Sequence, residues 1–321
     1  MTAHIRGIDG DRKVAPLNFL WLELTNRCNL KCVHCYAGSS PGGGVDDRLT
    51  TADYLRALDE AAQLGCRSVQ FIGGEPTLHP DLVVLIRQAK RLRFEFVEVF
   101  SNLIRLPPAQ LDAFKAHGVH LATSIYSATP EVHDRITERV GSHTRTVSNL
   151  KAAVAAGVPL RASIIDIDGI DQDIPGTRRW LEALGVTRIG VDQVRSFGRA
   201  AAEATSMSEL CGSCANGTLC VGYDGRVSPC IMSKPWSIGS VLDTSLMEIA
   251  SSRRIAATRD AIRTATDRKR AAQRPLMTEE QVGRGCQPSS TGPCNPDQGG
   301  SCTPCSPTGN CGPNTCGPRP F

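Results

Sequence analysis

The feature that most constrains the fold is a repeat of helix, glycine and short β-branched run. Four times a segment with helical spacing ends in glycine and gives way to such a run. The junctions are Leu64-Gly65 before Cys66-Arg67-Ser68-Val69, His117-Gly118 before Val119, Ala156-Gly157 before Val158, and Leu184-Gly185 before Val186. Glycine just past the last turn is the expected left-handed stop of a helix. Leu55, Leu58 and Ala62, then Val147, Leu150 and Val154, keep a helical period ahead of two of these stops. Candidate strands are Phe19–Thr25, Ser68–Ile72, Val97–Phe100, His120–Ile125, Leu160–Ile165 and Arg188–Val194. Six strands alternating with helices predict an α/β fold whose parallel sheet is open or curled into a partial barrel. In such folds the chemistry sits at the carboxyl ends of the strands.

The first strand runs directly into Cys28, Cys32 and Cys35, spaced C-x3-C-x2-C. Three thiolates launched from one strand end can point at one centre. A four-iron cluster ordinarily takes four thiolates, so a set of three leaves one iron open to another ligand. The chain has 14 cysteines in 321 residues. Residues 1–16 form a polar lead-in with no basic-then-apolar leader, so a reducing cytoplasmic setting is expected and the thiols are read as metal ligands rather than a disulfide framework. No run of 18 apolar residues suggests a membrane span. A formal charge of +4 is too small to imply nucleic acid, and cluster-bound thiolates would lower it further. An apolar content of 40% suffices for a globular core.

After Arg199 the alternation stops. Cys211, Cys214, Cys220 and Cys230 follow in close succession, with Asp224-Gly225 as a hairpin signal between the last two. Four closely spaced thiolates suit an iron–sulfur cluster or a tetrahedral zinc. A helix-compatible basic segment, about 245–274, follows; without interleaved aromatics it reads as a solvated helix face rather than a nucleic-acid surface. From Gly283 the chain is rich in Gly, Pro, Ser and Asn, and six cysteines there are each followed two positions later by proline. No apolar core can hold such a tail, so its cysteines are bound or it stays disordered. Cys66, alone between a helix and a strand, reads as a small buried hydrophobe.

The second strand ends in Gly73-Gly74-Glu75-Pro76. Two glycines let backbone approach a ligand closely, and Glu75 offers a carboxylate to a cationic amine. The C-x3-C-x2-C set followed by this turn resembles the radical S-adenosylmethionine (SAM) superfamily over about residues 17–200. The resemblance implies a [4Fe-4S] cluster on Cys28, Cys32 and Cys35, with its open iron binding the amino and carboxylate groups of SAM. It places Gly73, Gly74, Glu75 and Pro76 at the methionyl amine and His34 beside the adenine. Asn102, after Ser101, stands where the family often has Thr-Asn-Gly, although Leu103 replaces the glycine. Ser124 is a polar contact to SAM, and Arg161 a partner for its carboxylate. Tyr126 stands where many relatives carry an acidic residue, which leaves the catalytic base unassigned; Asp166, Asp168 and Asp192 are the acidic candidates near later strand ends.

Cys211, Cys214, Cys220 and Cys230, with Gly225-x4-Cys230, resemble the SPASM extension of the same superfamily, which adds auxiliary iron–sulfur clusters. The C-x2-C pair lies upstream here rather than downstream. The tail's Cys302, Cys305, Cys311 and Cys316 fall one residue off the extension's C-x2-C-x5-C-x3-C spacing, so one or two auxiliary clusters are expected. The implied fold is a partial (β/α)6 barrel with a cysteine-rich C-terminal auxiliary-cluster domain. Its expected divisions are a lead-in to 16, a barrel over 17–200, a SPASM-like region over 201–250, a basic helical segment over 251–282 and the tail over 283–321.

The resemblance implies an enzyme that reductively cleaves SAM to a 5′-deoxyadenosyl radical and takes hydrogen from a substrate. The first expectation for that substrate is a ribosomally made precursor peptide, crosslinked or oxidised at a side chain. A flavodoxin- or ferredoxin-like reductant would supply the electron, and the basic segment could hold an acidic leader. Two alternatives stay open: a radical dehydrogenase or epimerase of a sugar or cyclitol, and a non-catalytic iron–sulfur or zinc protein.

Overall fold

A computed structural model describes residues 16–201 and 204–273. The tail cysteines Cys302, Cys305, Cys311 and Cys316 lie outside the described residues, as does the lead-in before Pro16. Six strands follow the expected order: β1 (Phe19–Glu23), β2 (Ser68–Ile72), β3 (Phe96–Phe100), β4 (His120–Ser124), β5 (Leu160–Asp166) and β6 (Arg188–Gln193). Each pairs in parallel with the next, from β1 to β6. Helices α1 (Thr51–Gln63), α2 (Leu82–Arg91), α3 (Pro108–Ala116), α4 (Pro130–Thr137), α5 (Ser142–Ala155) and α6 (Ile174–Ala183) fill the crossovers. The expected stops hold: Gly65 has φ +85° and Gly157 φ +72°, values open to glycine at little cost.

Period-2 alternation sorts the side chains of the strands. Leu20, Leu22 and Leu24, with Val97, Val99, Leu160, Ala162 and Ile164, pack outward into the main core beneath the helices. Cys66 lies there fully buried, as expected of a small hydrophobe. Phe19, Trp21, Ile72 and Phe96 face the other way, into a second apolar cluster with Cys214, Cys220 and Cys230. Residues from all six strands line one cavity on that inner face, so the sheet curls round it as a partial barrel.

The cysteine-rich segment joins this sheet rather than standing apart. β7 (Thr218–Val221) pairs in parallel with the free side of β1, setting Trp21 opposite Cys220. β8 (Arg226–Ser228) and β9 (Gly239–Ser240) extend it in antiparallel order. Asp224-Gly225 makes the expected turn between β7 and β8, with Gly225 at φ +86°. The basic segment is two helices rather than one, α7 (Leu246–Ala250) and α8 (Arg253–Gln273). Ser245 starts α7 with a capping box to Glu248, and the chain breaks at Ser251-Ser252. Nor is α8 only a solvated face. Ile262 and Thr266 are buried, Lys269 Nζ lies 2.6 Å from Glu209 Oε1, and Arg270 donates to the Cys211 carbonyl at 2.9 Å. Among the described residues no helix is long and apolar enough to cross a membrane.

Candidate functional site

β1 ends at Glu23, two residues earlier than expected, because Thr25 turns away to donate to Asp47 Oδ2 at 2.5 Å. The backbone then enters the Cys28–Cys35 loop. Cys28, Cys32 and Cys35 line one wall of a cavity of about 420 Å³, and Cys211 and Cys230 line the same cavity. The loop is clamped from outside by residues far along the chain. Arg199 donates from Nε to the Cys32 carbonyl at 2.8 Å and from its backbone N–H to the Cys35 carbonyl at 3.0 Å. Gly198 permits this approach: a Cβ there would sit 2.3 Å from the Tyr36 carbonyl oxygen.

Burial disfavours the charged form of two of these thiols. Burial, then the nearby Glu75, pushes the Cys28 thiol up to about 12. Burial and Cys35 push Cys32 up to about 12 as well, against a hydrogen bond from Tyr126. Buried thiols raised in this way become thiolates only when a positive centre compensates them, and iron does so. Among the described residues no three Cys, His, Asp or Glu side chains meet closely enough to hold a single metal ion.

Gly73 and Gly74 also line the cavity. Gly74 donates to the Thr25 carbonyl at 2.7 Å and Glu75 to the Arg27 carbonyl at 2.9 Å, which locks this turn against the segment entering Cys28. A Cβ on Gly74 would lie 2.3 Å from the Arg27 carbonyl oxygen. Gly74→Ala is therefore expected to destabilise the fold by about 1–3 kcal/mol, as overpacking does, and to lower iron retention. Thermal unfolding and iron content check this, and an unchanged melting temperature would count against it.

Glu75 corrects the expectation set for it. Its carboxylate is buried behind the turn and does not line the cavity. Oε1 accepts from the Thr77 N–H and from the Thr77 and Ser101 hydroxyls, and Oε2 accepts from the Asn102 N–H at 2.8 Å. Burial raises its pKa while these donors hold it down. Glu75 thus ties β2 to the end of β3 and has no face for an amine. Pro76 is buried at the start of the short turn 76–78 and does not line the cavity either.

Asn102 does line it, held by Glu75, and its Nδ2 lies 2.7 Å from Asn29 Oδ1 and 3.5 Å from the Cys28 sulfur. The next residue, Leu103, has φ +58°, the left-handed conformation glycine would take. Its buried side chain and two hydrogen bonds, to Ser101 Oγ and from Asn149, hold it there against the usual cost. Arg161 is a second correction. It lines the cavity but forks onto buried Glu98 at 2.8 and 2.9 Å, with Gln70 bonded to the same carboxylate. Its Nε and Nη2 are bonded to Glu98 while the residue still lines the cavity.

His34 and Ser124 line the cavity. The His34 ring meets Tyr126 edge-on at 4.9 Å, and burial, then Arg199, lowers its pKa to about 4, so it is a neutral ring surface. Tyr126, noted in the sequence only as a departure from an acidic residue, hydrogen-bonds Cys32 and Ser124. Of the acidic candidates only Asp192 lines the cavity, ion-paired with Arg195 at 3.6 Å. The Cys214 and Cys230 sulfurs lie 3.1 Å apart, and burial, then Glu23, raises the Cys220 thiol.

Residues 22–181 match the family model of the Radical SAM superfamily, and residues 210–276 match that of SPASM, an iron–sulfur cluster-binding domain. The chain belongs to the radical SAM superfamily. A PqqA peptide cyclase of Ruegeria pomeroyi is 35% identical over 187 residues, 57% of this chain and 49% of that protein. A probable GTP 3′,8-cyclase of Methanopyrus kandleri is 26% identical over 67% of this chain and 81% of its own. The chain spans about half the length of the peptide cyclases it matches. Among solved structures, Streptococcus suis SuiB bound to precursor peptide SuiA aligns with a TM-score of 0.62 at 14% identity, covering 78% of this chain and 67% of that one. That likeness is one of fold.

Proposed function

We propose that this chain is a radical SAM enzyme that matures a ribosomally made peptide, by crosslinking or oxidising a side chain. The observation that carries the reading is the single cavity with Cys28, Cys32 and Cys35 on one wall and Cys211 and Cys230 on another. A substrate in that space stands between two potential cluster sites. The 35% identity to a protein named PqqA peptide cyclase favours a peptide as that substrate.

Cys28, Cys32 and Cys35 hold the SAM-binding [4Fe-4S] cluster in this reading, and Cys214, Cys220 and Cys230 serve an auxiliary one, joined by Cys211 once its disulfide is reduced. Bound together, cluster and SAM supply a 5′-deoxyadenosyl radical through one-electron cleavage of the sulfonium, with the electron drawn from a flavodoxin- or ferredoxin-like reductant of a reducing compartment such as the cytoplasm. The chain's own part is placement. Gly73 and Gly74 present backbone at the cavity wall, and their missing Cβ atoms let the turn pack on the Thr25–Arg27 backbone that leads to Cys28. Asn102 directs its amide toward the Cys28 sulfur, and neutral His34 offers a flat ring to an adenine. Trp21, Ile72 and Phe100 keep the cavity's inner wall apolar, which excludes water from a reactive intermediate. The barrel over 17–200 and a SPASM region whose matched span, 210–276, takes in the basic helices form the working divisions.

A second reading, a small-molecule substrate, draws on the GTP cyclase relative, which this chain covers over 81% of its length. Co-expression with short peptides encoded beside this protein separates the two. Peptide maturation predicts a peptide that has lost hydrogen mass, with a new crosslink or oxidised residue in its fragmentation spectrum. Unaltered peptides, together with 5′-deoxyadenosine formed only on adding a small molecule, would overturn it.

A further inference from the structure

Asn102, just past the end of β3, has each of its polar atoms engaged. Its backbone N–H donates to Glu75 Oε2 at 2.8 Å, and its carbonyl accepts from the Thr146 hydroxyl at 2.9 Å. Side-chain Oδ1 accepts from the Ile104 N–H at 2.9 Å. That bond settles which way the amide faces, because a nitrogen in the place of Oδ1 could not accept it. Both Nδ2 hydrogens are therefore turned toward the cysteine loop. One bond runs to Asn29 Oδ1 at 2.7 Å and the other to the Cys28 sulfur at 3.5 Å. The target is held as firmly as the donor. Arg139 donates to the Asn29 carbonyl at 2.7 Å, and the Cys28 N–H donates to the Ser40 carbonyl at 3.0 Å. Cys28 is buried, and its sulfur also receives the Leu30 N–H at 3.4 Å.

We propose that the Asn102 side-chain amide, through its hydrogen bond to the Cys28 sulfur, raises the reduction potential of the cluster held by Cys28, Cys32 and Cys35. The inference rests on the reading of those three cysteines given above. A hydrogen bond to a ligand sulfur stabilises the extra negative charge of the reduced state, so accepting an electron becomes more favourable. Asn102 acts through Cys28 and is thus a positioning residue. Glu75 enters at one further remove. Its enclosed carboxylate fixes the Asn102 backbone, so the Gly-Gly-Glu-Pro turn reaches the cluster ligand through Asn102. The Leu30 N–H is a main-chain donor to the same sulfur and stays in place whatever residue stands at 102.

The test compares the full chain with Asn102→Leu and Asn102→Asp after anaerobic reconstitution, without SAM, so that no contact between residue 102 and SAM contributes. Leucine removes the donor at similar size. Aspartate keeps the oxygen that accepts from Ile104 and puts a second oxygen where the NH2 stood. The electron paramagnetic resonance signal to follow is the one lost when Cys28, Cys32 and Cys35 are all changed to alanine. Redox titration of that signal is expected to give both variants the parent's iron per chain and a more negative midpoint. In pulsed resonance, a parent carrying heavy nitrogen in its asparagine side chains is expected to show that nitrogen coupled to the cluster, and N102D to lose the coupling. Equal midpoints at equal iron overturn the role of Asn102. So does a labelled parent without the nitrogen coupling, whether or not the variants hold iron. A parent that lacks the signal altogether overturns the cluster reading itself.

Discussion

Changing Cys28, Cys32 and Cys35 together to alanine is expected to remove about four iron atoms per chain and to abolish 5′-deoxyadenosine formation from SAM under dithionite. The expectation follows from where these thiols sit. They line one cavity, and burial raises the Cys28 and Cys32 thiols, which favours their protonated form until a cation takes the proton's place. Neither Glu75, enclosed behind the turn, nor Asn102, held by Glu75 and directed at Asn29, is placed to replace a lost ligand. The auxiliary cluster proposed above draws on other cysteines, so the variant should keep its iron. Iron and sulfide analysis with product chromatography reads all three outcomes. Undiminished iron, or 5′-deoxyadenosine at the parent's rate, would sink the assignment of these cysteines.

What the sequence made legible was local. Glycine stops and β-branched runs placed all six barrel strands within a residue or two, because each signal is written in consecutive positions. Cys66 was legible for the same reason, as a small apolar side chain between a helix and a strand. Side-chain allegiances were not legible where partners come from different crossovers. Glu75 was read as open to an amine because its own turn leaves it open; Ser101 and Asn102, 26 and 27 residues on, close it. Arg161 was read as a free cation, and Glu98, 63 residues earlier and buried in a neighbouring strand, claims it. Arg199 reaches Cys32 across 167 residues, and nothing local marks it. Leu103 is the reverse case. The missing glycine was visible, but only the structure shows that the left-handed turn survives without it.

The SPASM region depends on a contact of this long-range kind. Glu23, on the inner face of β1, is fully buried and pairs at 2.6 Å with Lys234, whose ammonium also lies 4.9 Å over the Tyr223 ring. The pair joins the barrel's first strand to the loop after Cys230. Lys234→Met is expected to destabilise the protein by about 3–5 kcal/mol, because it leaves a buried carboxylate without its cation. Glu23→Leu combined with Lys234→Met should recover much of that loss, since two apolar groups leave no buried charge behind. The pH dependence has a definite sign. Burial already holds the Glu23 carboxyl above its ordinary value, and Lys234 opposes that rise. Without Lys234 the folded-state value climbs further above the unfolded value of about 4.3. A raised carboxyl costs nothing while both states are protonated, and its cost grows as pH rises from the unfolded value toward the folded one. The deficit of K234M against the parent should therefore be larger near pH 8 than near pH 5. Urea unfolding midpoints at the two pH values measure it. A deficit that is absent, or that shrinks as pH rises, would mean that the Glu23–Lys234 pair does not hold the SPASM region to the barrel.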